Sequence, residues 1–154
     1  MKNKTYFEEA HKSFYGKPLV MIVEDDLRMR LLASTCFQMN GCVINDFENG
    51  MEAHRILSMN YGAQKKNPRL KNPYSLILSD IDMPEMNGIS LAREAAVLAP
   101  RTPFVLMTGN PQGPYPENVR EVLQKPFSIS VFKRILNKYV YNNPPNLDNS
   151  TQTL

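Results

Sequence analysis

The sequence predicts an α/β fold in which a parallel sheet is covered by helices on both faces, and three observations predict it. Short continuous apolar runs at Leu19–Val23, residues 76–78 and residues 104–107 each stop abruptly at polar residues. Runs of this length closed by turns are the pattern of strands buried on both faces. Between the runs, apolar residues recur at helical spacing, so strands and helices alternate. Third, the stretch at residues 74–88, YSLILSDIDMPEMNG, ends its apolar run in Asp80. Open α/β sheets bind ligands where such strands end. A carboxylate there is costly unless it is paired or metal-bound.

Composition narrows the classes. The 154 residues suffice for one domain with a single core, and 42% apolar content is ordinary. No apolar run is long enough to span a bilayer, and residues 1–17 lack the apolar core of a secretory signal. Cys36 and Cys42 form no CxxC pair and have no histidine cluster, which leaves buried thiols in a reduced, cytoplasmic setting. A net charge of +3 implies neither nucleic acid nor membrane as a partner.

The elements follow in chain order. Residues 1–17 form an N-terminal extension, frayed or folded as a short helix, since Thr5 and Glu8 make a capping box. Leu19–Val23 is the first strand, followed by a helix with Met29, Leu32, Ala33 and Cys36 inward and a stop at Asn40-Gly41. Residues 42–47 read as a strand, and residues 50–59 as a helix with Ala53, Ile56 and Leu57 inward. Residues 60–73 lose the apolar pattern and collect Lys65, Lys66, Arg69 and Lys71, the signature of a basic surface loop or a site for an acidic partner.

After the strand ending at Asp80, Met83-Pro84 and Asn87-Gly88 turn the chain, since proline fixes φ and glycine tolerates a positive φ. Residues 89–99 form a helix with Leu91, Ala92, Ala95 and Leu98 inward, and residues 104–107 the next strand. Pro111, Pro114 and Pro116 disfavour a regular helix before Glu117. Val122 and Leu123 give a brief strand. Ser128 is placed to cap a last helix with Val131, Phe132, Ile135, Leu136 and Tyr139 inward. The polar tail at 142–154 has too little to bury and is expected to be disordered.

Four polar features therefore fall at strand ends: Glu24 with Asp25, Asp80, Thr108, and Lys125. If the strands are neighbours, these groups converge. Carboxylates about 4 Å apart repel by roughly 4 kcal/mol per pair at an effective dielectric near 20. A cation must hold them ionised, or one must protonate. An all-oxygen site suits Mg²⁺. A carboxylate nucleophile, a divalent metal, an ammonium and a hydroxyl are the parts needed to receive a phosphoryl group.

On these residues the chain resembles the receiver domain of two-component response regulators over residues 18–141. The matching pieces are VMIVEDD, LSDIDMPEMNG, FVLMTG and LQKPF, in that order. The resemblance implies a five-stranded, doubly wound, flavodoxin-like receiver fold. It makes Asp80 the phosphoacceptor, Asp25 a direct metal ligand, Glu24 a ligand through water, and the Asp82 backbone carbonyl the third protein ligand. It makes Thr108 the switch hydroxyl and Lys125 the contact to the phosphoryl oxygens. It implies a histidine kinase or histidine phosphotransfer protein as donor, a downstream protein target, and a monomer or weak dimer.

The departures fall outside the chemistry. The span from Thr108 to Lys125 is short, so the family's fourth helix, between the fourth and fifth strands, is expected to be short or absent. Val122 stands where most receivers carry the aromatic ring that moves on activation. Residues 109–118 are accordingly expected to form a mobile loop that orders when Thr108 closes on a phosphoryl group. The resulting expectation is a stand-alone receiver, acting through partners or as a phosphate sink or relay. The rival is a haloacid-dehalogenase-like phosphatase using Asp80 and Asp82, whose motif LILSDIDM resembles; it leaves Glu24 and Asp25 unexplained.

Overall fold

The computed structural model describes residues 16–142. The helix expected near Thr5 and Glu8 and the tail at 143–154 lie outside the described residues. Five parallel strands form one sheet in the order β2-β1-β3-β4-β5: β1 Leu19–Val23, β2 Val43–Phe47, β3 Tyr74–Asp80, β4 Phe104–Thr108 and β5 Val119–Gln124. The helices are α1 Leu27–Met39, α2 Gly50–Lys66, α3 Gly88–Leu98 and α4 Ser130–Leu136, the last continued by a π-turn over Asn137–Tyr141. Among the described residues no helix is long and apolar enough to cross a membrane.

Strand alternation sorts the apolar residues to two faces. Val20, Ile22, Leu78 and Met107 pack with Phe37 of α1 and Phe132 of α4. Met21, Val23, Ile77 and Leu106 pack with Leu57 of α2 and Leu91 of α3. Because both faces are covered, β1, β3 and β4 are almost wholly apolar up to their last residues. Register then aligns those ends. Val23 pairs with Ser79, Asp80 with Met107, and Thr108 with Gln124. The residues that follow β1 and β5 thus emerge beside the ends of β3 and β4.

Several expectations are corrected. The second helix does not stop at Met59 but runs to Lys66, so Lys65 and Lys66 belong to its last turn and only residues 67–73 form the basic loop. Asn60 is buried within it, and lysines at a helix C-terminus suit its dipole. Apolar periodicity missed this because the extra turns are packed through a polar residue. The fifth strand is Val119–Gln124, longer than the two residues expected, because pairing with β4 extends it. In α1, Leu32 is 39% exposed and Phe37, not foreseen, is fully buried.

Two local assignments also change. Ser128 does not cap α4 through its side chain; its hydroxyl meets that of Ser130, and its carbonyl accepts from Val131 N. The positive φ in the turn after β3 falls on Glu85 (φ 65), not on Gly88. Asn87 caps α3 instead, accepting from Ser90 N at 2.8 Å.

Residues 109–118 carry no helix. The three prolines are met by an irregular segment tied at Asn118, whose Nδ2 donates to Ala92 O at 2.7 Å. The short fourth-to-fifth strand connection is thus borne out as the loss of a helix. Cys36 and Cys42 are both free and buried.

Candidate functional site

Asp80 ends β3 and is 4% exposed; Glu24 follows β1 and is 1% exposed. Asp25 faces solvent beside them. One carboxylate oxygen from each of Glu24, Asp25 and Asp80 lies within 4.8 Å of the others. The acidic pair and the strand-end aspartate are therefore brought together as expected. Asp26, next in sequence, instead caps α1, accepting from Met29 N at 2.9 Å.

Lys125 closes the cluster from β5. Its Nζ donates to Glu24 Oε2 and to Asp80 Oδ1, each at 2.9 Å. Lys125 N also donates to Thr108 O at 2.8 Å, which continues the β4–β5 ladder and fixes where the side chain departs. Burial pushes the Glu24 carboxyl above the usual carboxylate range, against the pull of Lys125 and with the help of neighbouring Asp80. Burial does the same to Asp80, which also faces Asp25 and Asp82. Burial lowers the Lys125 pKa, but the two carboxylates outweigh it and hold it above the ordinary value. One ammonium thus leaves an excess of negative charge in the pocket.

Thr108 is 1% exposed at the end of β4. Its Oγ1 donates to Asp82 Oδ2 at a long 3.4 Å and accepts from Asn110 N at 3.1 Å. The side chain of Asp82 is thereby directed to Thr108, outside the three-carboxylate cluster. Asp82 itself sits exposed in the turn after β3. That turn is pressed against the sheet end by Gly88, whose N donates to Ile81 O at 3.0 Å.

The donor set tests whether a metal fits. The cluster holds only carboxylate oxygens, with no cysteine or histidine, and one member is open to solvent. Hard divalent cations that keep several waters suit such a site, Mg²⁺ foremost. The excess of three carboxylates over the single Lys125 ammonium is the electrostatic counterpart of that fit.

One neighbour was not foreseen. Arg30 of α1 reaches back over the first helical turn, and its Nη1 donates to Glu24 O at 2.6 Å. Its Nε lies 3.3 Å from Asp46 Oδ2 on β2. The available signal was its position four residues after the cap Asp26, which puts it one turn up on the same side.

With this geometry in hand, the comparisons are specific. Residues 20–137 match the family model of the response regulator receiver domain. The chain is 33% identical over 116 residues to the response regulator receiver protein CpdR of Brucella abortus (strain 2308), covering 71% of this chain and 86% of that protein. It is 26% identical over 129 residues to the transcription factor SKN7 of Chaetomium thermophilum, covering 80% of this chain but 16% of that protein. The fold matches response regulator protein TrrA from Thermotoga maritima, solved in complex with Mg(2+)-BeF, with a TM-score of 0.62. That likeness, at 24% identity, covers 80% of this chain and 99% of that one.

Proposed function

The chain belongs to the response regulator receiver family, and from that premise we propose that Asp80 accepts a phosphoryl group from a phosphorylated histidine of a kinase or phosphotransfer protein. Receivers are phosphoacceptor signalling modules of two-component phosphorelays, not enzymes that turn over a free substrate. This membership displaces the phosphatase reading of Asp80 and Asp82. The observation that carries the proposal is the double contact of Lys125 with Glu24 and Asp80 inside an acidic cluster.

In this reading an Asp80 carboxylate oxygen attacks phosphorus, forming an O–P bond as the N–P bond of phosphohistidine breaks. The departing imidazole nitrogen takes the bonding pair, and an acyl phosphate remains. Asp25, Asp80 and the backbone carbonyl of Asp82 are the groups that would hold Mg²⁺, with Glu24 acting through water. The ion, when bound, supplies positive charge at the phosphoryl oxygens. Lys125 keeps the pocket partly neutral beforehand and then pairs with the phosphoryl oxygens. The Thr108 hydroxyl would leave Asp82 and donate to the same group, carrying the change to residues 109–118.

We extend the reading to a receiver unit at residues 18–141 that works without an attached output domain. Its support is that the likeness to CpdR runs over 86% of that protein. The output would then be phosphorylation-dependent binding of a protein target in the cytoplasm.

Incubation with Mg²⁺ and a small phosphodonor, followed by intact mass analysis, tests the chemistry. One phosphoryl group should be added to the wild type and none to Asp80→Asn. Undiminished labelling of Asp80→Asn would overturn the assignment.

A further inference from the structure

We infer that Arg30 is the positioning residue of the acidic pair: its guanidinium holds the backbone of Glu24 and Asp25 in the conformation from which their carboxylates take Mg²⁺. The inference rests on the proposed phosphoacceptor reading of the site.

The geometry is that of a strut. Glu24 N makes the last rung of the sheet on this side, donating to Phe47 O at 3.0 Å. Beyond that rung the chain leaves the sheet and must place two carboxylates within reach of Asp80. Arg30 Nη1 donates to Glu24 O at 2.6 Å and lies 3.5 Å from Asp25 O. Its Nε is held 3.3 Å from Asp46 Oδ2 near the end of β2. The guanidinium therefore ties the two carbonyls of the turn to a fixed point on the neighbouring strand.

This is not the setting of an ordinary surface arginine. Its side chain is only 13% exposed, although its partner Asp46 is 43% exposed. A planar fork with several donors can satisfy a carbonyl and a carboxylate at fixed angles, which a single ammonium cannot. Backbone groups so fixed orient the side chains they carry, as outer-shell partners do around metals.

Positioning and charge predict opposite signs. A cation near the cluster repels Mg²⁺, so if its charge were all that mattered, removing it would tighten binding. If it positions the pair, removing it weakens binding.

Calorimetric titration of the full chain with Mg²⁺ decides this, comparing wild type, Arg30→Ala, Arg30→Lys and Asp25→Ala. Arg30→Ala and Arg30→Lys should each weaken Mg²⁺ binding roughly 10-fold. The lysine variant keeps the charge and the stem, so it carries the test even if the alanine variant folds poorly. Wild-type affinity in Arg30→Lys, or tighter binding in Arg30→Ala, overturns the positioning role. A wild type that binds no Mg²⁺, or an Asp25→Ala that binds as well as wild type, overturns the phosphoacceptor reading and this inference with it.

Discussion

Gly88 lies so close to Asp80 that a Cβ added to it would stand 2.1 Å from the Asp80 carbonyl oxygen. The next atoms it would meet, at 2.9 and 3.0 Å, are also backbone. The turn after β3 is folded back on the strand end at a distance only glycine permits. Gly88→Ala should therefore cost about 2 kcal/mol and shift Asp80 enough to weaken Mg²⁺ binding. Gly62, in α2, has nothing within 4 Å of an added Cβ. Gly62→Ala should stabilise by roughly 0.5 kcal/mol and leave Mg²⁺ binding alone. Urea unfolding and a Mg²⁺ titration compare the two; equal effects would contradict the close approach at Gly88.

A second expectation follows from crowding at Asp80. Its carboxyl titrates above the usual value of 3.8, chiefly through burial and against the pull of Lys125, with Asp25 and Asp82 adding repulsion. The folded state thus holds its proton longer than the unfolded state. Without metal, Asp80 therefore makes stability fall as pH rises from the ordinary carboxylate range through its raised pKa. Asp80→Asn should remove that slope and raise stability at pH 7 in the presence of a chelator, by about 1 kcal/mol. Lys125 keeps Glu24 as a partner in the variant. Added Mg²⁺ should stabilise the wild type and not the variant. A chelated Asp80→Asn less stable than wild type at pH 7 would mean that the carboxylates are not in net repulsion.

Strand β5 supplies a contribution of opposite sign. Glu121 accepts from Arg134, from Lys138 at 3.3 Å and from the Tyr139 hydroxyl at 2.9 Å. The bond from Arg134 comes first among the causes that hold its carboxyl down at about 2. These contacts clamp β5, and with it the root of Lys125, to the last helix. A depressed folded pKa stabilises above the unfolded value and loses that contribution as pH falls through about 2. Arg134 and Lys138 are 49% and 56% exposed, so solvent screening reduces the gain to about 1 kcal/mol. Glu121→Gln should be less stable than wild type at pH 7 and converge with it near the folded pKa. A stability gap that persists unchanged to the lowest pH would assign the effect to packing instead.

Strands β1, β3 and β4 were legible in the sequence because burial on both faces leaves them apolar almost to their ends, whereas β5 carries Arg120 and Glu121 in mid-strand and read too short. Asp80 and Thr108 stand out for the same reason, since each is a polar side chain where apolar packing stops; Lys125 follows a half-polar strand and is marked instead by its place in LQKPF. What escaped was carried by tertiary contact. The last turns of α2 continue through buried Asn60, which no apolar period marks. The role of Gly88 depends on a backbone brought near by β3, and its spacing looked like an ordinary turn. Arg30 acts on main-chain carbonyls, which have no letter in the sequence. Phe37 and Leu32 exchanged places on α1 because α4 packs against the side carrying Phe37, its ring 5.4 Å from that of Phe132.

A change at Thr108 has a short route out of the site. Residues 109–118 replace a helix, and Tyr115 within them packs against the core face that includes Val122. The sequence has an aliphatic residue at 122, and the structure packs a tyrosine from the loop against the same core cluster. Among the described residues the buried Tyr115 hydroxyl has no hydrogen-bond partner. Asn110 N donates to Thr108 Oγ1 at 3.1 Å, so the loop begins on the hydroxyl that would turn toward a phosphoryl group. Movement of Thr108 should therefore unseat or reseat Tyr115. The chain has no tryptophan, so Tyr115→Trp supplies a single reporter. Its emission should shift on adding beryllofluoride with Mg²⁺, and Thr108→Val should suppress that shift while leaving beryllofluoride bound. An emission maximum indifferent to beryllofluoride in a variant that binds it would show that this loop does not carry the signal.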